Sequence, residues 1–129
     1  MIQQEGPGWR LARDPQRSGF PVLIGGETWA LELTETEACA LASVLRKLVD
    51  QHRCIRDQLM PDEAITLELE NSEWWACLDG DCSTWSLRVI LSAGSSGVRG
   101  LEVRWPAPAA QAMAAAMRTM WDSCHDQGS

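Results

Sequence analysis

Trp29-Ala30-Leu31-Glu32-Leu33-Thr34-Glu35-Thr36-Glu37 changes its hydrophobic period halfway along, and that change decides the architecture. Through Leu33, apolar and polar residues alternate. Trp29, Leu31 and Leu33 share one face while Ala30 and Glu32 share the other, as a strand with one covered side requires. At Thr34 the alternation stops. Thr34 and Glu37 have capping-box spacing, and Glu35 and Glu37 lie near the positive end of the helix dipole. Leu41, Val44, Leu45, Leu48, His52, Ile55 and Leu59 then recur every three or four residues, giving one apolar stripe on a helix that ends before Pro61. This stripe is expected to pack on the sheet.

Upstream, strands are expected over 9–14, 20–24 and 28–33, the last two joined by Gly25-Gly26-Glu27 as a hairpin. Downstream, Ile65, Leu67 and Leu69 alternate with Thr66, Glu68 and Glu70, and Asn71-Ser72 turns the chain. Further strands follow over 73–78, 84–91 and 100–105, with Asp79-Gly80-Asp81 as a turn and 92–99 as a flexible loop. Pro106 and Pro108 mark the entrance to a second helix over 109–124, rich in Ala and Met. The order strands, helix, strands, helix is an α+β pattern with two antiparallel sheets, each followed by a helix, and not a run of alternating βαβ units. The 129 residues suit a single domain over 1–129, with pseudo-repeat halves at about 7–60 and 64–124.

A shift of 72 residues superposes the halves, placing Arg46 on Arg118, Asp50 on Asp122, Leu45 on Met117 and Leu33 on Trp105. Two identities are weak evidence of duplication, because strand-then-amphipathic-helix patterns match one another readily.

Composition removes several functions. Hydrophobic residues at 45% and charged residues at 22% are globular usage. A formal charge of -7 and a pI near 4.7 have the wrong sign for a generally basic nucleic-acid binder. No apolar run has membrane-helix length and the start lacks signal-peptide character, so a cytoplasmic protein without membrane association is expected. The five cysteines are odd in number and contain no C-x-x-C pair, which favours reduced thiols over a disulfide framework.

The opening Gly8-Trp9-Arg10-Leu11-Ala12-Arg13-Asp14 and the runs Trp29-Ala30-Leu31-Glu32-Leu33-Thr34 and Leu101-Glu102-Val103-Arg104-Trp105-Pro106 resemble a cyanobacterial family of unknown function, domain of unknown function 1818. The resemblance covers nearly the whole chain. That family is similar in fold to the Whirly proteins and to transcriptional-coactivator domains that bind single-stranded DNA. The resemblance thus implies a Whirly-like scaffold and, as one functional expectation, a single-stranded nucleic-acid-binding regulator. Whirly proteins hold DNA with a lysine-rich segment, whereas Lys47 is the only lysine here.

Seven tryptophans against one Phe and no Tyr invite a search for stacking platforms. Strand and helix parity sends Trp29, Trp85, Trp105 and Trp121 to the core. Trp74 and Trp75 are adjacent in a strand and must face opposite ways; Trp74 travels with Ala76 and Leu78, which leaves Trp75 outside beside Glu73 and Cys77. On the same outward face Arg88 and Arg104 stand among Glu68, Glu70, Glu73 and Glu102, so the face is net acidic and the arginines are expected to pair with Glu across strands. Trp75, Arg88 and Arg104 are the binding candidates.

No catalytic residues emerge. His52 lies on the apolar stripe, and His125 falls in the tail. Cys77 and Cys82 flank Asp79-Gly80-Asp81 without the spacing of a zinc or calcium site. Gly94 to Gly100 joins two strands and lacks the Lys-Ser/Thr of a phosphate loop. The chain is therefore expected to be a non-enzymatic binding module without cofactor or metal, serving protein–protein interaction or regulation. Single-stranded nucleic acid is the alternative, disfavoured by charge. Homodimerisation is a further expectation, because the Ala-rich stretch 109–116 permits close helix approach.

Overall fold

The computed structural model describes residues 1–92 and 100–121; the expected loop over 92–99, the glycine-rich stretch Gly94 to Gly100 and the tail carrying Asp122, Cys124 and His125 fall outside the described residues in whole or in part. Among the described residues eight strands form two antiparallel four-stranded sheets of simple meander order. The first contains β1 (Ile2–Gly6), β2 (Trp9–Arg13), β3 (Val22–Gly26) and β4 (Ala30–Leu33), and leads into α1 (Glu35–Ile55) and a single 3-10 turn, Arg56–Gln58. The second contains β5 (Ile65–Glu70), β6 (Trp74–Gly80), β7 (Trp85–Leu91) and β8 (Leu101–Trp105), and leads into α2 (Ala109–Met120).

The junction at Thr34 is built as its spacing requires. The Thr34 hydroxyl accepts from the Glu37 N–H at 3.1 Å, and the Glu37 carboxylate accepts from the Thr34 N–H at 2.9 Å. Both bonds satisfy amides that a helix start leaves without partners. Thr34→Ala removes one of them and is expected to lower stability by about 1 kcal/mol, read as a drop of several degrees in melting temperature. An unchanged melting curve would mean that tertiary contacts alone hold this helix end.

The helix stripe does pack on a sheet, but chiefly on the other one: α1 lies against β5 and β6 of the second sheet. Meanwhile α2 lies against β2 and β7, and against α1. Each half of the chain therefore covers the other, and Leu11, Ile24, Leu33, Leu41, Leu48, Leu78, Leu87 and Met113 enter one continuous core. Trp indoles bind this arrangement together because a buried N–H needs an acceptor. The Trp74 indole donates to the Glu37 carbonyl at 2.8 Å, tying the start of α1 to β6. The Trp105 indole donates to the Gly25 carbonyl at 2.9 Å, tying β8 to β3. At the end of α2, Arg13 lies over the Trp121 ring, 4.9 Å from its centroid, and pairs with Glu35, which also accepts from the Trp121 indole.

Several boundaries and environments depart from the sequence expectations. β1 was not expected; its residues are mostly exposed polar groups, and its place is set by pairing with β2 across Pro7-Gly8. Gly8 has φ +82°, which suits the third position of a type II turn after proline. Gly25 and Gly26 lie inside β3 instead of linking it to β4, because both pair with β2; the Trp29 indole occupies the space a Cβ on Gly26 would need. Trp29 itself precedes β4 and is half-buried, its ring 5.1 Å from that of Trp105. Asp79 and Gly80 likewise belong to β6, and the turn begins at Asp81. Ala109, Ala110, Ala114 and Ala116 are buried within the chain, so the close approach that small side chains allow is used here for intrachain packing. Cys54, Cys77 and Cys82 are free thiols, whereas Cys39 is disulfide-bonded, a correction to the reduced-thiol reading.

Candidate functional site

The second sheet has two unlike faces. Trp74, Ala76, Leu78, Trp85, Leu87, Val89 and Leu91 point inward and are buried. The opposite face is ordered by strand register, with Glu68 beside Cys77, Cys77 beside Arg88, and Arg88 beside Arg104. In the adjacent row Glu70, Trp75, Ile90 and Glu102 are neighbours. The three sequence-derived candidates, Trp75, Arg88 and Arg104, therefore come together on adjacent strands.

Within this patch Arg88 is committed twice. Its guanidinium lies 5.0 Å from the Trp75 ring centroid and 3.6 Å from a Glu102 carboxylate oxygen. The cross-strand pairing expected for the arginines is thus present for Arg88. Arg104 faces Arg88 directly, an unfavourable placement for two like charges, and it has no ion-pair partner among the described residues. Trp75 is half-buried, its ring covered by this arginine.

Cys77 shares the outward face yet is only 9% exposed. Burial raises its thiol pKa, Glu68 and Asp79 raise it further, and Arg88 partly offsets them. A buried thiol held protonated is a poor nucleophile. Maleimide labelling at neutral pH is expected to modify exposed Cys54 well before Cys77; equal rates would mean that this face opens readily.

At the far end of β6, the Asp81 carboxylate accepts from the backbone amides of Ser83 and Thr84, both at 2.9 Å. Thr84 first and Ser83 second hold the Asp81 pKa below its ordinary value of 3.8. The bonds favour the ionised form, so their stabilisation is complete above that ordinary value and is lost as pH falls through the lower folded one. The stability difference between the protein and Asp81→Ala is expected to shrink as pH falls below 3.8. A difference independent of pH would show that the turn does not depend on the charge. The Asp81 carbonyl also accepts from His52 Nε2 at 2.8 Å, which explains a histidine 5% exposed on the apolar stripe. This fixes His52 as a structural bridge between α1 and the turn.

Among the described residues no three His, Cys, Asp or Glu side chains converge as a metal ion would need, and no helix is long and apolar enough to cross a membrane.

Two meander sheets, each followed by a helix and closed over a shared core, define an α+β domain that carries an aromatic-and-arginine patch on the outside of the second sheet. The chain belongs to the family described as domain of unknown function 1818, whose model matches residues 4–120. It is also similar to a protein of unknown function from Prochlorococcus sp. NATL2A, described as of the DUF155 family and solved as a crystal structure. Identity is 50%, the match covers 94% of this chain and 99% of that one, and the TM-score is 0.86. No curated protein sequence matches the chain.

Proposed function

We propose that the protein is a non-catalytic binding module that engages an acidic segment of a partner protein through the outer face of its second sheet. Trp75, Arg88 and Arg104 are the contacts. The observation that carries this reading is Arg104, set opposite Arg88 without a carboxylate of its own among the described residues, while Arg88 in turn covers a half-exposed tryptophan. Trp and Arg are the residue types most often responsible for interface binding energy. A partner carboxylate at Arg104 would relieve the repulsion between the two arginines. The Glu68, Glu70, Asp79 and Glu102 side chains on the same face oppose a phosphate backbone and favour a partner that brings only a few charges.

Fluorescence anisotropy with a labelled peptide carrying a few Glu residues and with labelled oligothymidylate, each at low and near-physiological salt, separates the two occupants. Peptide binding that weakens in Trp75→Ala and Arg104→Ala supports the protein-partner reading. Oligothymidylate binding that falls steeply with salt and is lost in Arg88→Ala and Arg104→Ala would replace it with the nucleic-acid one. If neither probe binds, the face is not a recognition surface for anionic chains.

A further inference from the structure

A cleft of about 590 Å³ opens between the second half of α1, α2 and the turn that follows β6, away from the outer face of the second sheet. The volume is that of a small-molecule site. Four arginines line it: Arg46 and Arg53 from α1, Arg56 from the 3-10 turn and Arg118 from α2. Among the described residues Asp57 is the one carboxylate in the lining. Such a concentration of positive charge is unexpected in a chain of net charge -7.

Among the described residues the arginines are only partly neutralised by their neighbours. Asp50, beside the cleft, is shared by three of them: an oxygen lies 2.9 Å from Arg118, while Arg46 and Arg53 stand at 3.8 and 3.9 Å. Only Arg118 is within hydrogen-bonding distance. Arg46 Nε is buried and has no hydrogen-bond partner among the described residues, a condition rare in folded proteins. Arg56 has no ion-pair partner among the described residues. Buried or converging guanidinium donors left without acceptors are a site waiting for an oxyanion.

We propose that this cleft binds a small molecule bearing one or a few phosphate groups. Donors arriving from two helices require an acceptor with oxygens pointing several ways and more than one negative charge. A phosphate monoester meets that need with three terminal oxygens and a charge of about −1.5 to −2 at neutral pH; a carboxylate offers two oxygens in one plane and a single charge. The forked guanidinium suits such oxygens better than an ammonium would, which fits a cleft with four arginines and no lysine. Val49, Ala114, Ala115 and the edge of Trp85 provide apolar surface for the rest of the ligand. Gln111 is already engaged, donating to the Ser83 carbonyl at 3.0 Å and accepting from the Trp85 N–H at 3.3 Å, so it shapes the wall.

The size of the ligand follows from the charge outside the cleft. Screening confines the arginines' attraction to about 8 Å at physiological ionic strength. A long polyanion would meet the acidic remainder of the surface, whereas a small one meets only the cleft. The sequence echo gives the site its plan: Arg46 and Arg118, superposed by the 72-residue shift, both line the cleft from corresponding turns of the two helices.

The test is titration calorimetry of the full chain with inorganic pyrophosphate, backed by Trp fluorescence, with citrate and oligothymidylate as comparison ligands. Saturable binding of pyrophosphate in the millimolar range or tighter, weakened about tenfold or more in Arg46→Gln and Arg118→Gln, is the expected result. Because those two residues are partly buried and could affect folding, the exposed pair Arg53→Gln/Arg56→Gln provides a second reading. It should also weaken binding while melting normally. Arg88→Ala, on the other face, should leave binding unchanged, so failure here is separable from failure of the sheet-face reading. Absence of saturable binding, binding indifferent to all four arginines, or tighter binding of citrate or oligothymidylate than of pyrophosphate would each overturn the proposal.

Discussion

Trp105→Ala is expected to destabilise the protein by about 3–5 kcal/mol, a large share of the 5–15 kcal/mol that holds an ordinary domain folded. The side chain is fully buried, its ring packs on Trp29 at 5.1 Å, and its indole N–H donates to the Gly25 carbonyl at 2.9 Å. It ends the last strand of the second sheet and reaches into the first. Truncation would therefore leave a cavity where the two sheets meet and strand a carbonyl on β3. Trp105→Phe separates these effects: it keeps most of the ring volume and loses the hydrogen bond, so a smaller loss of about 1–3 kcal/mol is expected. Urea unfolding of both variants checks the order. A Trp105→Ala midpoint near that of the unaltered protein would mean that the sheets are held together elsewhere.

Gly80→Ala carries the second large effect. A Cβ at this position would meet the Trp85 Cα at 2.5 Å and lie closer still to the Thr84 carbonyl oxygen. Both obstacles are backbone, so no side-chain rotation relieves them. Either the β6–β7 register opens or the turn moves, and with it the Asp81 carboxylate that accepts from Ser83 and Thr84. The expected cost is about 1–3 kcal/mol, as for overpacking. Gly100→Ala is the control: its nearest neighbour is the Leu91 carbonyl oxygen at 3.6 Å, an ordinary contact, and stability should change little. Equal melting temperatures for the two variants would show that the β6–β7 turn accommodates a side chain freely.

The candidate patch was partly legible because strands have a strict period of two. That period alone sends Trp74 inward and Trp75 outward, and it puts Arg88 and Arg104 on the face of Trp75. It does not give register, and only register puts Arg88 between Trp75 and Glu102 while leaving Arg104 opposite Arg88. The cleft was less legible. Arg46, Asp50, Arg53 and Arg56 form a recognisable charged run at the end of one helix, and Arg46 and Asp50 stood out only as echoes of Arg118 and Asp122. Nothing in their spacing says that Arg118, from the other helix, faces the same cavity.

Sequence by itself determined the two strand-to-helix junctions, the strand faces and the destination of most tryptophans. These are local matters, governed by residue period, by the Thr34–Glu37 capping box and by the cost of leaving large apolar rings in water. Tertiary structure decided which sheet each helix covers, that the polar segment Ile2–Gly6 is a strand, and that arginines distant in sequence surround one cleft. An amphipathic helix specifies only that its stripe be buried, and either sheet offers an apolar face. The choice rests on shape and on single long-range bonds, such as Trp74 to the Glu37 carbonyl and Trp105 to the Gly25 carbonyl, which exist only once the chain has closed.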